Sequence, residues 1–270
     1  MKTFTLPING IDYACIEAGS GPLVLFMHGT FGGKQLLVPQ VDHLSRWFRC
    51  VAFDWPGHGE SGYKAGGWTV DDLIPAVPAI IDALGEDSAF LCGVSQGGAV
   101  SMRVALAYPE KVRGLVNMCA GPGGPPPQAA TPLDNFATLL AEETDETVRR
   151  KATEEFVTRV FHDPAFATRA PDRSEMEINL ILNHPRESVK FLPGVPKSYV
   201  LLTNERLASI SCPALIIWAE YENRPGLGAE LASVIPDSEL IIVKDAGHHV
   251  NLDQPEATSQ AIEQFLCKHI

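Results

Sequence analysis

Ser95 lies in Gly93-Val94-Ser95-Gln96-Gly97, between the apolar run Phe90-Leu91-Cys92 and a helix-like stretch that begins at Gln96. A serine on a sharp strand-to-helix turn projects its hydroxyl above a sheet edge, and flanking glycines allow close backbone approach. That is the setting of a nucleophilic serine. The helix N-terminus also aims backbone N–H groups at an oxyanion developing beside it. A general base must reach the hydroxyl from a loop at the same edge, late in the chain. Asp245-Ala246-Gly247-His248-His249 follows the apolar run Leu240–Val243 and offers two histidines. His248 directly follows Gly247 at the loop tip and is the expected base. His249 is expected beside it in the loop, lining the pocket. An acid that orients the base should follow the run Leu215–Trp218, in the order serine, acid, histidine. Glu220 and Glu222 are both available there, with no aspartate, and an acid several positions past the strand end at Trp218 should curl back best over the sheet edge, which points to Glu222. A second oxyanion donor is expected in His28-Gly29-Thr30, after the run Leu23–Met27. The N–H of Thr30 pairs with that of Gln96 in this reading, and the His28 side chain braces the loop.

These residues need a scaffold. Lys2–Thr5 and Asp12–Glu17 read as strands joined by an Asn9-Gly10 hairpin turn. Leu23–Met27, Val51–Phe53, Ala89–Cys92, Leu115–Met118, Leu215–Trp218 and Leu240–Val243 are continuous apolar runs. Runs without alternation suit strands buried on both faces of a parallel sheet. Helical stretches at Gln40–Trp47, Val70–Leu84, Gln96–Tyr108, Leu227–Val234 and Glu256–Lys268 separate them. Thr69 is the expected N-cap of the second, whose start Pro75 and Pro78 should make irregular. The alternation predicts an α/β fold with a doubly wound, mostly parallel sheet.

One segment interrupts the alternation. The tract Ala120-Gly121-Pro122-Gly123-Gly124-Pro125-Pro126-Pro127 suits no helix or strand interior. Beyond it the pattern is helical only, at Leu133–Leu140, Asp145–Phe161 and Ser174–Leu182, until strands resume at Ala214. Residues 122–210 are therefore expected as a helical cap inserted into a core of residues 1–121 and 211–270. The alternative is a second helical layer with no part in binding. Phe136, Leu139, Leu140, Phe156, Phe161 and Phe166 suggest an apolar pocket, although helical spacing also suits plain core.

Composition excludes several classes. With 21 Lys plus Arg against 33 Asp plus Glu, the net charge of −12 argues against nucleic acid as a partner. The six cysteines form no Cys-x-x-Cys pair and read as reduced and structural, Cys92 and Cys119 within strand-like runs. No apolar run approaches the roughly 20 residues of a membrane span, and residues 1–7 lack a signal-peptide core. The expected setting is cytoplasmic, with a small-molecule substrate, no membrane partner, and a monomeric or homodimeric state. The chemistry calls for no metal and no cofactor.

Across nearly its whole length the sequence resembles the α/β-hydrolase superfamily. The resemblance rests on His28-Gly29, Asp54-Trp55-Pro56-Gly57-His58-Gly59-Glu60-Ser61, Gly93-Val94-Ser95-Gln96-Gly97, and Gly247-His248 followed by Asp253-Gln254-Pro255. It implies that Asp54 and His58 are structural and that the histidine after glycine, His248, is the base. It also implies an acid at the last position of Ala219-Glu220-Tyr221-Glu222, where such chains often carry aspartate, which favours Glu222. Serine at position 95 counts against the related dehalogenases and epoxide hydrolases, which attack with a carboxylate. The expected reaction is ester or lactone hydrolysis. Carbon–carbon hydrolysis of a dienone or diketone is the second reading, although the tryptophan common after the histidine in such enzymes is absent. A non-hydrolytic lyase, cyclase, oxygenase or receptor on the same scaffold is the third.

Overall fold

The first two strands, β1 (Lys2–Ile8) and β2 (Ile11–Ala18), pair antiparallel with Ile8 opposite Ile11. Asn9 and Gly10 both take positive φ, 52° and 78°, as a two-residue turn matched to strand twist requires. Six further strands follow: β3 (Leu23–Met27), β4 (Arg49–Phe53), β5 (Ala89–Val94), β6 (Val112–Met118), β7 (Ala214–Ala219) and β8 (Ser238–Val243). The computed structural model describes residues 1–124 and 130–270 of the chain. The strands form one sheet in the order β1-β2-β4-β3-β5-β6-β7-β8, and from β4 to β8 every pairing is parallel.

The inner parallel strands are buried on both faces because helices cover both, whereas the edge strand β8 stays partly exposed. Alternate residues divide between two apolar clusters. Leu25, Met27, Leu91, Leu115 and Ile216 pack with α2 (Val70–Ala83), α3 (Gln96–Ala107) and α11 (Leu227–Val234). Val24, Phe26, Cys92, Val116 and Ile217 pack on α1 (Val38–Leu44) and α13 (Pro255–Lys268). This is the doubly wound arrangement that continuous apolar runs demand. The expected irregular start of α2 is not observed. The helix begins regularly at Val70, where the Asp72 carboxylate accepts the Thr69 N–H at 2.8 Å, and it runs on through Pro75 and Pro78. Burial of Leu73, Val77, Ile80 and Ile81 against the sheet outweighs two missing N–H donors.

Between β6 and β7 the described residues hold helices and no strand: α4 (Pro132–Glu142), α5 (Glu146–Phe156), α6 (Phe166–Arg169), α7 (Pro171–Leu182), α8 (Arg186–Val189), α9 (Gly194–Lys197) and α10 (Asn204–Leu207). The single helix expected over Asp145–Phe161 is α5 followed by a π-helical turn at Val157–Phe161. Of the Gly/Pro tract, Ala120–Gly124 has no regular structure, and Pro125–Pro127 lie outside the described residues. All six cysteines are free, five of them buried. Cys119 is not in a strand: it follows β6 with φ 52°. No helix among the described residues is long and apolar enough to cross a membrane. The short helix α12 (Val250–Asp253) closes the loop that follows β8.

Candidate active site

The chain runs from β3 out to β4 and returns to β5 on the other side of β3, so the strand order reverses between β3 and β5. Loops leaving the C-terminal ends of two such strands diverge and open a crevice. Those loops are His28-Gly29-Thr30 and the turn bearing Ser95. Ser95 takes φ 52° and ψ −116°, a conformation that L residues avoid and that places its side chain at the mouth of the crevice. Its glycine neighbours are a packing requirement. A Cβ on Gly93 would meet the Gly97 carbonyl carbon at 2.2 Å, and one on Gly97 would meet the Met27 carbonyl oxygen at 2.1 Å. Glycine at 93 therefore lets the turn close on itself, and glycine at 97 lets it sit against β3.

His28 is fully buried and braces this loop. Its Nδ1 donates to Gly29 O at 2.7 Å and its Nε2 accepts from the Trp55 N–H at 2.9 Å. Burial lowers its pKa to about 4, consistent with a neutral ring whose tautomer those bonds fix. The hydroxyl of Thr30 donates to the Gln96 side-chain oxygen at 2.9 Å, tying together the two residues whose N–H groups are the expected oxyanion donors. Gln96 is the first residue of α3, so its N–H has no partner within the helix. Asp54 and His58 stay away from the cavity. Asp54 binds the Lys34 ammonium at 2.6 Å, and His58 is held to Pro56 O at 3.0 Å.

At the other side of the crevice, His248 Nδ1 lies 2.7 Å from Glu222 Oε2. The loop after β7 curls back to make this contact: the Glu222 N–H donates to Ala219 O at 3.3 Å, and Trp218 Nε1 donates to Arg224 O at 3.1 Å. Burial works to raise the pKa of Glu222, but the hydrogen bond and charge of His248 prevail and hold it below the ordinary value. Glu220 is exposed and accepts the Asp245 N–H at 3.0 Å, supporting the histidine loop at a residue with φ 51°. With Nδ1 engaged, His248 has Nε2 left for the cavity that Ser95 also lines. Such an arrangement commonly closes its serine–histidine hydrogen bond only around substrate.

That cavity measures about 520 Å³. Ser95, Thr30, Gln96, Glu222 and His248 line its floor, and Leu133, Phe156, Val160, Phe161 and Tyr199 from the segment between β6 and β7 form its roof. Cys119, Trp218 and Leu227 add an apolar wall. Of the six apolar residues picked from the sequence, Phe156 and Phe161 reach the cavity. Phe136 stacks on Phe156 at 3.9 Å as plain core, and Phe166 belongs to a small cluster with Leu36, Ala170 and Leu252.

His249 does not line the pocket, contrary to expectation. Its ring is buried under Phe161, with centroids 4.1 Å apart, and its Nδ1 meets Glu177 Oε1 at 2.7 Å. Glu177 Oε2 meets His162 Nε2 at 2.5 Å, and His162 Nδ1 meets Asp253 Oδ1 at 2.6 Å. His162, Glu177 and His249 thus place three potential metal donors within 4.8 Å of one another. Those donor atoms are already joined in pairs, as a chain of hydrogen bonds. Sequence reasoning missed this chain. Its only trace was a second histidine after His248 and an acid, Glu177, on the buried face of a helix.

Comparison with known proteins agrees with the architecture. A family model described as "alpha/beta hydrolase fold" matches residues 22–255. A 2-hydroxy-6-oxononadienedioate/2-hydroxy-6-oxononatrienedioate hydrolase of Burkholderia vietnamiensis is 30% identical over 226 residues, covering 81% of this chain and 76% of that protein. A thermophilic esterase of Thermogutta terrifontis superposes with a TM-score of 0.87 at 24% identity, covering all of both chains. An enol-lactonase of Burkholderia xenovorans superposes with a TM-score of 0.85 at 21% identity, covering 97% of this chain and 99% of that one. At such identities the two structures speak for the fold.

Proposed function

Since this chain belongs to the α/β-hydrolase fold family, we propose that it is a serine hydrolase of esters or lactones of small, largely apolar molecules. The observation that carries the proposal is the His248–Glu222 contact of 2.7 Å beside a cavity whose floor is Ser95. In this mechanism Ser95 Oγ attacks the carbonyl carbon while His248 Nε2 takes its proton. The N–H groups of Thr30 and Gln96 stabilise the oxyanion, and Glu222 fixes the tautomer and steadies the imidazolium. His248 then protonates the leaving alkoxide, and water releases the acyl group by the reverse sequence. Residues 122–210 act as the cap, and the apolar roof they supply selects the acyl or alcohol part. This mechanism uses neither a metal nor a cofactor.

A second reading is carbon–carbon hydrolysis, which the name of the Burkholderia vietnamiensis relative supports. The two are separated by one panel of short esters, lactones and a dienone, run with wild type and Ser95→Ala. The proposal expects ester or lactone turnover, covalent labelling by a fluorophosphonate, and loss of both in Ser95→Ala with the fold intact. Turnover of the dienone alone would select the second reading, and labelling of Ser95→Ala at the wild-type rate would remove Ser95 as nucleophile.

A further inference from the structure

The chain His249–Glu177–His162–Asp253 joins the inserted helices to the core. Glu177 belongs to α7, and His162 follows the π-helical turn at Val157–Phe161. His249 and Asp253 belong to the loop and short helix after β8. All four side chains are 2% exposed or less. The far oxygen of Asp253, Oδ2, accepts the N–H of Gly247 at 2.6 Å and that of Asp163 at 3.1 Å. The N–H of His249 donates to Phe161 O at 2.7 Å. His248 is therefore bracketed by two neighbours, Gly247 and His249, each anchored to the inserted segment or to the relay. Gly247 fits only as glycine, since a Cβ there would lie 2.4 Å from the His162 carbonyl carbon.

Proton counting fixes the states. His162 faces a carboxylate at each nitrogen, so both bonds form only if both nitrogens carry protons. Glu177 then accepts one proton from His162 and one from His249 Nδ1. That leaves His249 Nε2 unprotonated, and it is buried without a partner. One imidazolium stands between two carboxylates, and the Arg169 guanidinium, bound to Asp163 at 2.5 Å, lies 3.9 Å from Asp253. The group is complete in itself, whereas a metal ion held by His162, Glu177 and His249 would have to displace the hydrogen bonds that join Glu177 to the two rings.

We propose that Glu177 and His162 are positioning residues whose buried relay clamps the Gly247–His249 loop to the inserted helices and thereby sets His248 relative to Ser95. The inference rests on reading His248 as the general base. Burial by itself would lower the pKa of His162, but the charge of Glu177 and the bond to Asp253 outweigh it and raise the value to about 9. The groups facing the ring are Glu177, Asp253 and His249, with Phe166 stacked on it at 3.6 Å and the Asp163–Arg169 pair beyond.

The test is a pair of isosteric variants and their double. In Glu177→Gln the amide oxygen keeps His249 and the amide nitrogen donates to His162, which retains only its Nδ1 proton. In Asp253→Asn the oxygen keeps Gly247 and Asp163, and His162 retains only its Nε2 proton. Each single variant leaves one satisfactory tautomer. The double presents a donor to both ring nitrogens, unless the amide at 177 turns over and forces the His249 proton onto Nε2, a buried atom with no partner to receive it. By ¹⁵N-histidine NMR, wild type should show one doubly protonated ring up to a pH of about 9, and either single variant should lose it. Each single variant should fold, with kcat down about 10- to 100-fold, as small misplacements of catalytic groups produce. KM should stay within a factor of about three, since neither Glu177 nor Asp253 lines the cavity. The double should be destabilised by more than the two singles summed, and failure of the double to fold while both singles fold counts as that result. Singles with a persistent imidazolium signal, unchanged kcat, or strictly additive destabilisation would overturn the proposal. So would one equivalent of tightly bound metal in purified protein, removed together with that signal by a chelator. The NMR readout needs no substrate, so it stands or falls apart from the Ser95 test.

Discussion

Replacing Glu222 by glutamine tests the tautomer argument at one atom. In wild type Oε2 of Glu222 accepts from His248 Nδ1 at 2.7 Å, and Oε1 accepts from the Asn223 N–H at 3.0 Å. Both oxygens face donors, so a glutamine must place its NH₂ against one of them. If it faces Asn223, two donors clash and the loop shifts. If it faces His248, the ring must carry its proton on Nε2, where it can no longer accept one from Ser95. The variant also loses a charge that steadies the imidazolium. For charges roughly 4 Å apart at an effective dielectric near 20, that attraction is about 4 kcal/mol, or about three orders of magnitude in rate. With Glu222 8% and His248 21% exposed, little solvent screens the pair. The expected fall in kcat is about 10³- to 10⁴-fold with KM little changed. The assay is steady-state hydrolysis of the best ester from the panel, with Glu220→Gln as control. Glutamine at 220 can still accept the Asp245 N–H, so that variant should stay within a few-fold of wild type. A reversed order would make Glu220 the acid, and two near-wild-type variants would refute the tautomer argument and leave a serine–histidine dyad.

Two further outcomes follow from the packing and the buried charges. Gly97→Ala would drive a Cβ to 2.1 Å from a backbone oxygen of β3, with no flexible side chain to yield. It should lower stability by about 3 kcal/mol or more in urea unfolding and abolish activity in whatever remains folded, and a stable, active variant would contradict the geometry. The raised pKa of His162, about 9 against an ordinary 6.5, makes a stabilising contribution that is full below pH 6.5 and lost as pH rises through 9. At about 1.4 kcal/mol per unit this amounts to about 3 kcal/mol, so denaturant midpoints should fall between about pH 7 and 10 in wild type, and the Glu177→Gln curve should be flatter over the same range.

The scaffold was legible because its signals are local. Continuous apolar runs such as Leu23–Met27 mark strands covered on both faces, and the structure buries every residue of that strand. Gly93 and Gly97 announced a backbone contact, which proved to be Gly93 against the following turn and Gly97 against β3. The regular start of α2 escaped because proline propensity is local, while the burial that overrides it belongs to the sheet. Phe136 and Phe166 looked as suitable for a pocket as Phe156 and Phe161, since helical spacing records that a face is buried but not what it faces.

The sequence by itself determined the order and type of the groups: a serine on a glycine-flanked turn, a histidine after glycine late in the chain, and two candidate acids between them. It could do so because each signal lies within a few residues of backbone that must adopt one conformation. Only the tertiary structure decided which groups meet. The strand order places the Thr30 loop beside Ser95, and the curl after β7 carries Glu222 rather than Glu220 to His248. It also buried His249 in a relay with Glu177, His162 and Asp253, 72 and 91 residues apart along its two longest links. Hydrogen bonds between buried side chains depend on distances of a few tenths of an ångström, and those are set by how helices from separate parts of the chain settle on one sheet.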